Sequence, residues 1–189
     1  VLNRSFLQSS NLPIDLEAKT MEVWLVLDDV GQRGGGAMTI QGPGDFFDSI
    51  VLGERQPQHW ISGSNGFART LDFPGSVPEQ KTKELVQLTM VYQADGTTLL
   101  YRNGQPYGKP FRKGSATFPK NRTSVLFGLR HVPAGGNKFL SMSVDKARLY
   151  DRALTAAEVA ASYSGDNFFV SNEDLEKALS PAQKTQRIG

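Results

Sequence analysis

The chain has 189 residues, no cysteine, and 21 basic against 19 acidic side chains, a formal charge of +2. That length suits one domain with one core; the missing thiols exclude disulfide scaffolds, thiol catalysis and cysteine-ligated metal centres; the near-balanced charge gives no global field for nucleic acid. The longest apolar run, Val23–Leu27, is too short to span a bilayer. No signal-peptide pattern opens the sequence, so an export signal is expected upstream. From Thr20 to Asp28 the residues alternate, with Met21, Val23, Leu25 and Leu27 on one face and Glu22, Trp24, Val26 and Asp28 on the other. That period predicts a strand. Gly31–Gly36 reads as a turn and lacks the Lys-Ser/Thr ending of a phosphate loop. Short strands are predicted at Ala37–Gln41, Phe47–Gly53 and Gln58–Ser62, and a surface loop at Leu71–Lys83. Alternation returns over Val86–Tyr92, and the dipeptides Asp95-Gly96 and Asn103-Gly104 tolerate the positive φ of tight turns. Three antiparallel strands in a meander follow from that spacing. Ser124–Leu129 and Phe139–Tyr150 also read as strands. Thr155-Ala-Ala-Glu158 is a capping box opening a short helix, Ala156–Tyr163, whose Val159 and Tyr163 are expected to pack on the strands. Residues 1–164 are thus expected as an all-β domain. Residues 165–189, with Leu175 and Leu179 at helical spacing before Ser180-Pro181, are expected as a helical extension or linker to a neighbouring domain.

Carbohydrate recognition couples an aromatic platform to polar side chains that fix hydroxyls. The candidates are Trp60 with His59, the loop aromatics Phe67 and Tyr107, and Arg69, Arg130 and His131. Because His59-Trp60-Ile61 alternates, either face of Trp60 could be inward. His59 and His131 are the only histidines, and no serine sits in a Gly-x-Ser-x-Gly elbow; Gly63-Ser64-Asn65-Gly66 is a turn. The nearest acidic pairs, Glu22/Asp28, Asp45/Asp48 and Asp28-Asp29, read as solvated strand and turn residues. Between Gly96 and Val144 there are eight bases and no acid. Should Arg102, Lys109, Arg112, Lys113, Lys120, Arg122 and Arg130 converge, they would suit a sulfated or uronic polysaccharide; the competing reading is a solvated surface.

Three segments carry a family resemblance: Met21-Glu-Val-Trp24, the hairpin ending Leu100-Tyr101-Arg102-Asn103-Gly104, and Val144–Val159 with its Tyr-Asp-Arg-Ala-Leu strand exit into the capping box. Together they resemble the laminin-G-like, concanavalin A-like jelly-roll domains, in the subgroup appended to large exported bacterial proteins. The tail beyond Ser164 resembles the segment following such a domain in exported bacterial proteins with c-type haem domains. The resemblance implies two stacked antiparallel sheets of about six or seven strands each, with a short helix near the end. It also implies a calcium place at Asp145 with carbonyls near Asn11–Asp15; Asp28 and Asp29 form a second candidate cluster at a strand end. Asp145-Lys146 stands where the family often has paired Asp, which weakens that site; hydrogen-bonded turn carboxylates are the alternative. Hydrolases of the superfamily use a Glu-x-Asp-x-x-Glu arrangement, absent here. The expectation is a non-catalytic, lectin-like module in an extracytoplasmic location (periplasm, cell surface or secreted), binding carbohydrate or a protein partner beside other domains of the same polypeptide. A structural spacer is the alternative and a glycoside hydrolase the third reading. Neither nucleic acid nor a membrane span is expected.

Overall fold

The computed structural model describes residues 5–134 and 138–165. The segment 166–189, expected to continue as helix, lies outside the described residues. Twelve strands and one α-helix follow in chain order: β1 Leu7–Gln8, β2 Lys19–Leu27, β3 Gly35–Gln41, β4 Phe47–Leu52, β5 Trp60–Ser64, β6 Leu71–Asp72, β7 Leu85–Tyr92, β8 Thr97–Arg102, β9 Gln105–Pro106, β10 Phe111–Arg112, β11 Ser124–Phe127, β12 Met142–Tyr150 and α1 Ala156–Ser164. One sheet runs β1-β11-β3-β4-β5-β6 and the other β10-β8-β7-β2-β12, with β9 on β8. Every pairing is antiparallel. The two-sheet jelly-roll architecture expected from the sequence is the architecture found.

The alternation of β2 decides which face is core. Met21, Val23, Leu25 and Leu27 point between the sheets and meet Met38, Ile40, Ile50, Leu52 and Trp60 from the opposite layer. Burying such side chains stabilises each by roughly 1.5–3 kcal/mol. The other face of β2 does not look into water. There α1 lies across β7 and β8, and Val159 and Leu154 pack on Val91 and Tyr101. Glu22, expected in solvent, is fully buried in this layer, accepting from Gln87 Nε2 at 2.6 Å and from the Tyr150 hydroxyl at 3.1 Å.

The predicted meander is present as β7, β8 and β9. Asn103 and Gly104 have φ of 51° and 73°, as a two-residue type I′ turn requires. Thr155 caps α1 and its reciprocal bond with Glu158 is formed, while Gly165 ends the helix in the left-handed region. Val159 is buried as expected; Tyr163 leaves 47% of its surface exposed and lies against Gly104. Two expectations need correction. Gly35 and Gly36 belong to β3 rather than to a turn. Within Leu71–Lys83, Phe73 is a core residue and Glu79 is buried, accepting from the Trp60 indole at 3.1 Å and from Arg102 through two bonds of 2.8 Å. Burial alone would raise the Glu79 carboxyl; Arg102, the Lys81 N–H and Trp60 outweigh it and hold it below the usual range.

Candidate functional site

The connection from β11 to β12 sets the geometry of the site. Instead of turning away, the chain after β11 straps across the outer face of the first sheet through Leu129–Val132. Thr39 Oγ1 lies 3.0 Å from the carbonyl oxygens of both Leu129 and Arg130, and the Val132 N–H donates to Gln41 Oε1 at 3.0 Å. Gly36 is needed beneath this strap, because a Cβ there would stand 2.6 Å from Arg130 Cα.

Where the strap meets the end of β5 a recess of about 120 Å³ remains open, lined by Asp45, Phe47, Glu54, Ser64, Gly66, Phe67, Arg130 and His131. The strap delivers Arg130 and His131. Arg130 pairs with Glu54. His131 stacks on Phe47 with ring centroids 4.6 Å apart, and its Nδ1 lies 3.1 Å from Asp45 Oδ1. Burial, aided by Lys138, lowers the His131 pKa below the ordinary imidazole value. At neutral pH the imidazole is therefore neutral, and its approach to Asp45 is not an ion pair.

Opposite the strap, the turn after β5 presents Phe67. Its φ is 58°, in the left-handed region, and the residue is 54% exposed. A bulky residue holds that conformation only where its surroundings over-determine it. Here they do: Thr70 Oγ1 accepts from the Ser64 N–H at 2.9 Å, Ser64 Oγ from the Arg69 N–H at 2.8 Å, and the Arg69 guanidinium donates to Asn65 Oδ1 at 3.2 Å and the Phe47 carbonyl at 3.1 Å. Arg69 thus braces the turn from below and forms an ion pair with Asp48.

The structure therefore brings Phe67, Arg130 and His131 together, with Arg69 behind them. The remaining candidates lie elsewhere. Trp60 and Tyr107 are core residues, the tyrosine hydroxyl accepting from the Trp60 N–H at 3.1 Å, so no surface platform forms from them. His59 bonds Ser76 Oγ at 2.9 Å. Arg112 bonds the Asp95 carbonyl at 2.6 Å, and Lys113 Nζ lies 3.4 Å from the Thr70 carbonyl. The basic stretch does not form one patch: Arg102 is engaged by Glu79, Arg130 by Glu54, and Arg102 and Arg112 sit at opposite ends of β8. Asp28 accepts from the Ser141 hydroxyl, Asp29 from the Gly31 N–H at 2.8 Å, and Asp145 is the extra residue of a bulge in β12. Among the described residues no three His, Cys, Asp or Glu converge as metal ligands. Phe67, Arg69, Arg130 and His131 were named from the sequence; Asp45, read there as a solvated turn residue, and Glu54 were missed as site residues.

A larger cavity, about 320 Å³, opens between β1 and the start of β12 and is lined chiefly by Phe6, Leu7, Phe127, Leu140, Met142 and Val144. It offers no charged group, so the smaller recess is the one with chemistry.

Comparison with known proteins bears on the fold. The family model described as concanavalin A-like lectin/glucanases superfamily, Laminin_G_3, matches residues 3–160. Curated proteins give no match. Among solved structures the chain is similar to the heptameric SAP-like pentraxin of Limulus polyphemus, with TM-score 0.65, 16% identity, and coverage of 86% of this chain and 77% of that one. Domain 4 of AbnA, an extracellular GH43 arabinanase of Geobacillus stearothermophilus in complex with arabinotriose, gives TM-score 0.58 at 18% identity over 82% and 70%. The CBM40 of the Ruminococcus gnavus IT-sialidase, bound to α2,3-sialyllactose, gives 0.58 at 13% over 83% and 97%. At such identities the likeness establishes the fold alone. With the family model spanning most of the chain and the two sheets paired as described, the chain belongs to the concanavalin A-like lectin/glucanases superfamily.

Proposed function

We propose that the chain is a non-catalytic carbohydrate-binding module whose ligand enters the Phe67 recess. The observation that carries this reading is the Phe67 ring, exposed yet held at a strained φ, facing a recess that also contains Arg130, Glu54, His131 and Asp45. The ring supplies an apolar face for the C–H side of a sugar, and the charged groups supply donors and acceptors for its hydroxyls. Structural neighbours bound to arabinotriose and sialyllactose support a carbohydrate partner in general. An extracytoplasmic location fits the same neighbours, one of which is part of an extracellular enzyme. Glycoside hydrolysis needs two carboxyl groups facing one scissile bond; here Glu54 is engaged by Arg130 and Asp45 by His131. Residues 1–164 form the binding unit in this reading, and 165–189 lead toward a neighbouring domain.

A glycan array probed with the wild type and Phe67→Ala tests it. The wild type retains at least one glycan, and the variant binds that glycan about tenfold more weakly, a loss of about 1.4 kcal/mol. Thermal stability changes by less than about 0.5 kcal/mol, because the ring is largely outside the core. An empty array, or binding indifferent to Phe67, favours the structural-spacer alternative.

A further inference from the structure

The outer face of the first sheet would be the natural bed for a polymer, and the chain has already occupied it. Thr39, Ser49, Val51 and Ile61, all pointing outward, are fully buried. Thr39 and Gln41, the polar groups a sugar chain would use along this face, are turned to the backbone of the strap. Strap and sheet touch backbone to backbone. A Cβ on Gly36, which pairs with the outward Val51, would come within 2.6 Å of Arg130 Cα. No layer remains between them for a sugar ring.

What stays open is the recess at the end of the strap, closed on one side by Arg130 and His131 and on the other by the Ser64–Phe67 turn. Its volume of about 120 Å³ falls below the ~300 Å³ at which ordinary ligand pockets begin. A space of that size takes part of one sugar unit, and the strap blocks the path by which a chain would continue across the sheet. We infer that the ligand class is the terminal unit of a glycan, entered end-on, and that internal runs of polysaccharide are excluded. This rests on the carbohydrate reading above and adds which part of a glycan is read.

The two can fail separately. Calorimetric titration with three length series of a single sugar each (arabino-oligosaccharides up to linear arabinan, sialic acid oligomers up to polysialic acid, and cello-oligosaccharides up to a soluble cellulose derivative) counts binding per chain and per unit mass. Terminal recognition gives one protein per chain end at every length, with binding per unit mass falling in inverse proportion to length, and loss of that signal in Phe67→Ala. Binding per unit mass that holds constant or rises with length overturns terminal recognition while leaving carbohydrate binding intact. No heat with any member of the three series removes the carbohydrate reading and this inference with it.

Discussion

Lys19 and Asp48 face each other across the core, both fully buried, with Nζ 3.1 Å from Oδ2. Arg69 Nε holds the other carboxylate oxygen at 3.0 Å, and the ammonium also lies 4.5 Å from the centroid of the Tyr92 ring and 4.8 Å from that of Phe118. Burial pushes the Lys19 ammonium below its ordinary pKa, and Asp48 works against that shift. Removing one partner strands a charge in the core. Asp48→Ala should therefore cost about 3–5 kcal/mol, read from urea unfolding midpoints at unchanged slope. The double change Lys19→Met with Asp48→Leu should cost less than Asp48→Ala, because the fully buried ammonium is then removed together with its carboxylate, while loss of the Arg69–Asp48 ion pair is common to both variants; a larger loss in the double variant would refute this account. Strand parity carried the signal for this pair, since Asp48 shares its face with Ile50 and Lys19 shares its face with Met21. Charge pointed the other way, because Lys and Asp are almost never fully buried unless paired. Each partner lies in a different sheet, far along the chain, where no local pattern reveals it.

At the level of elements, α1 is held by local chemistry. Thr155 Oγ1 accepts from the Glu158 N–H at 3.3 Å, the Glu158 carboxylate accepts from the Thr155 N–H at 2.8 Å, and Arg152 grips the same carboxylate at 2.8 Å. Arg152 first, then the two Thr155 donors, hold the Glu158 pKa at about 2, from an ordinary 4.5. A folded-state pKa depressed in this way contributes stability above pH 4.5 that is lost as pH falls toward 2. The stability difference between wild type and Glu158→Gln, measured by unfolding at pH 6 and again at pH 2.5, should shrink at the lower pH; an unchanged difference counts against the bond. Thr155→Ala should cost about 1 kcal/mol at neutral pH. Capping box and meander were both legible in the sequence because their partners lie within a few residues of one another. Trp60 was not, because β3, β4 and β5 are buried on both faces. Alternation there carries no polarity, so it could not say which side of His59-Trp60-Ile61 was core.

For the whole molecule, the decisive arrangement is a connection folded back over its own sheet. Phe67, Arg130 and His131 could be named from the sequence as isolated side chains, but their meeting with Asp45 and Glu54 depends on where the strap crosses, which no local pattern encodes. The crossing depends in turn on a missing Cβ. Gly36→Ala should force the strap to lift or the strand to bend, costing about 1–3 kcal/mol as overpacking usually does. Hydrogen exchange at the Val132 amide, which donates to Gln41, should quicken by more than exchange in β7. Equal protection in the variant would show that the strap is held by something other than close approach at Gly36.

One border of the sandwich has a bearing on crowded solutions. Among the described residues β12 ends its sheet, so a row of backbone donors and acceptors along nine residues faces outward. An open edge of that length can template fibre growth by recruiting another chain. Asp145 interrupts the row as the extra residue of a bulge, and Lys146 and Arg148 follow it with exposed charge. An incoming strand would lose register at the bulge and meet like-charged copies of itself at the next positions. The bulge at Asp145 thus keeps this edge from zipping onto its neighbours.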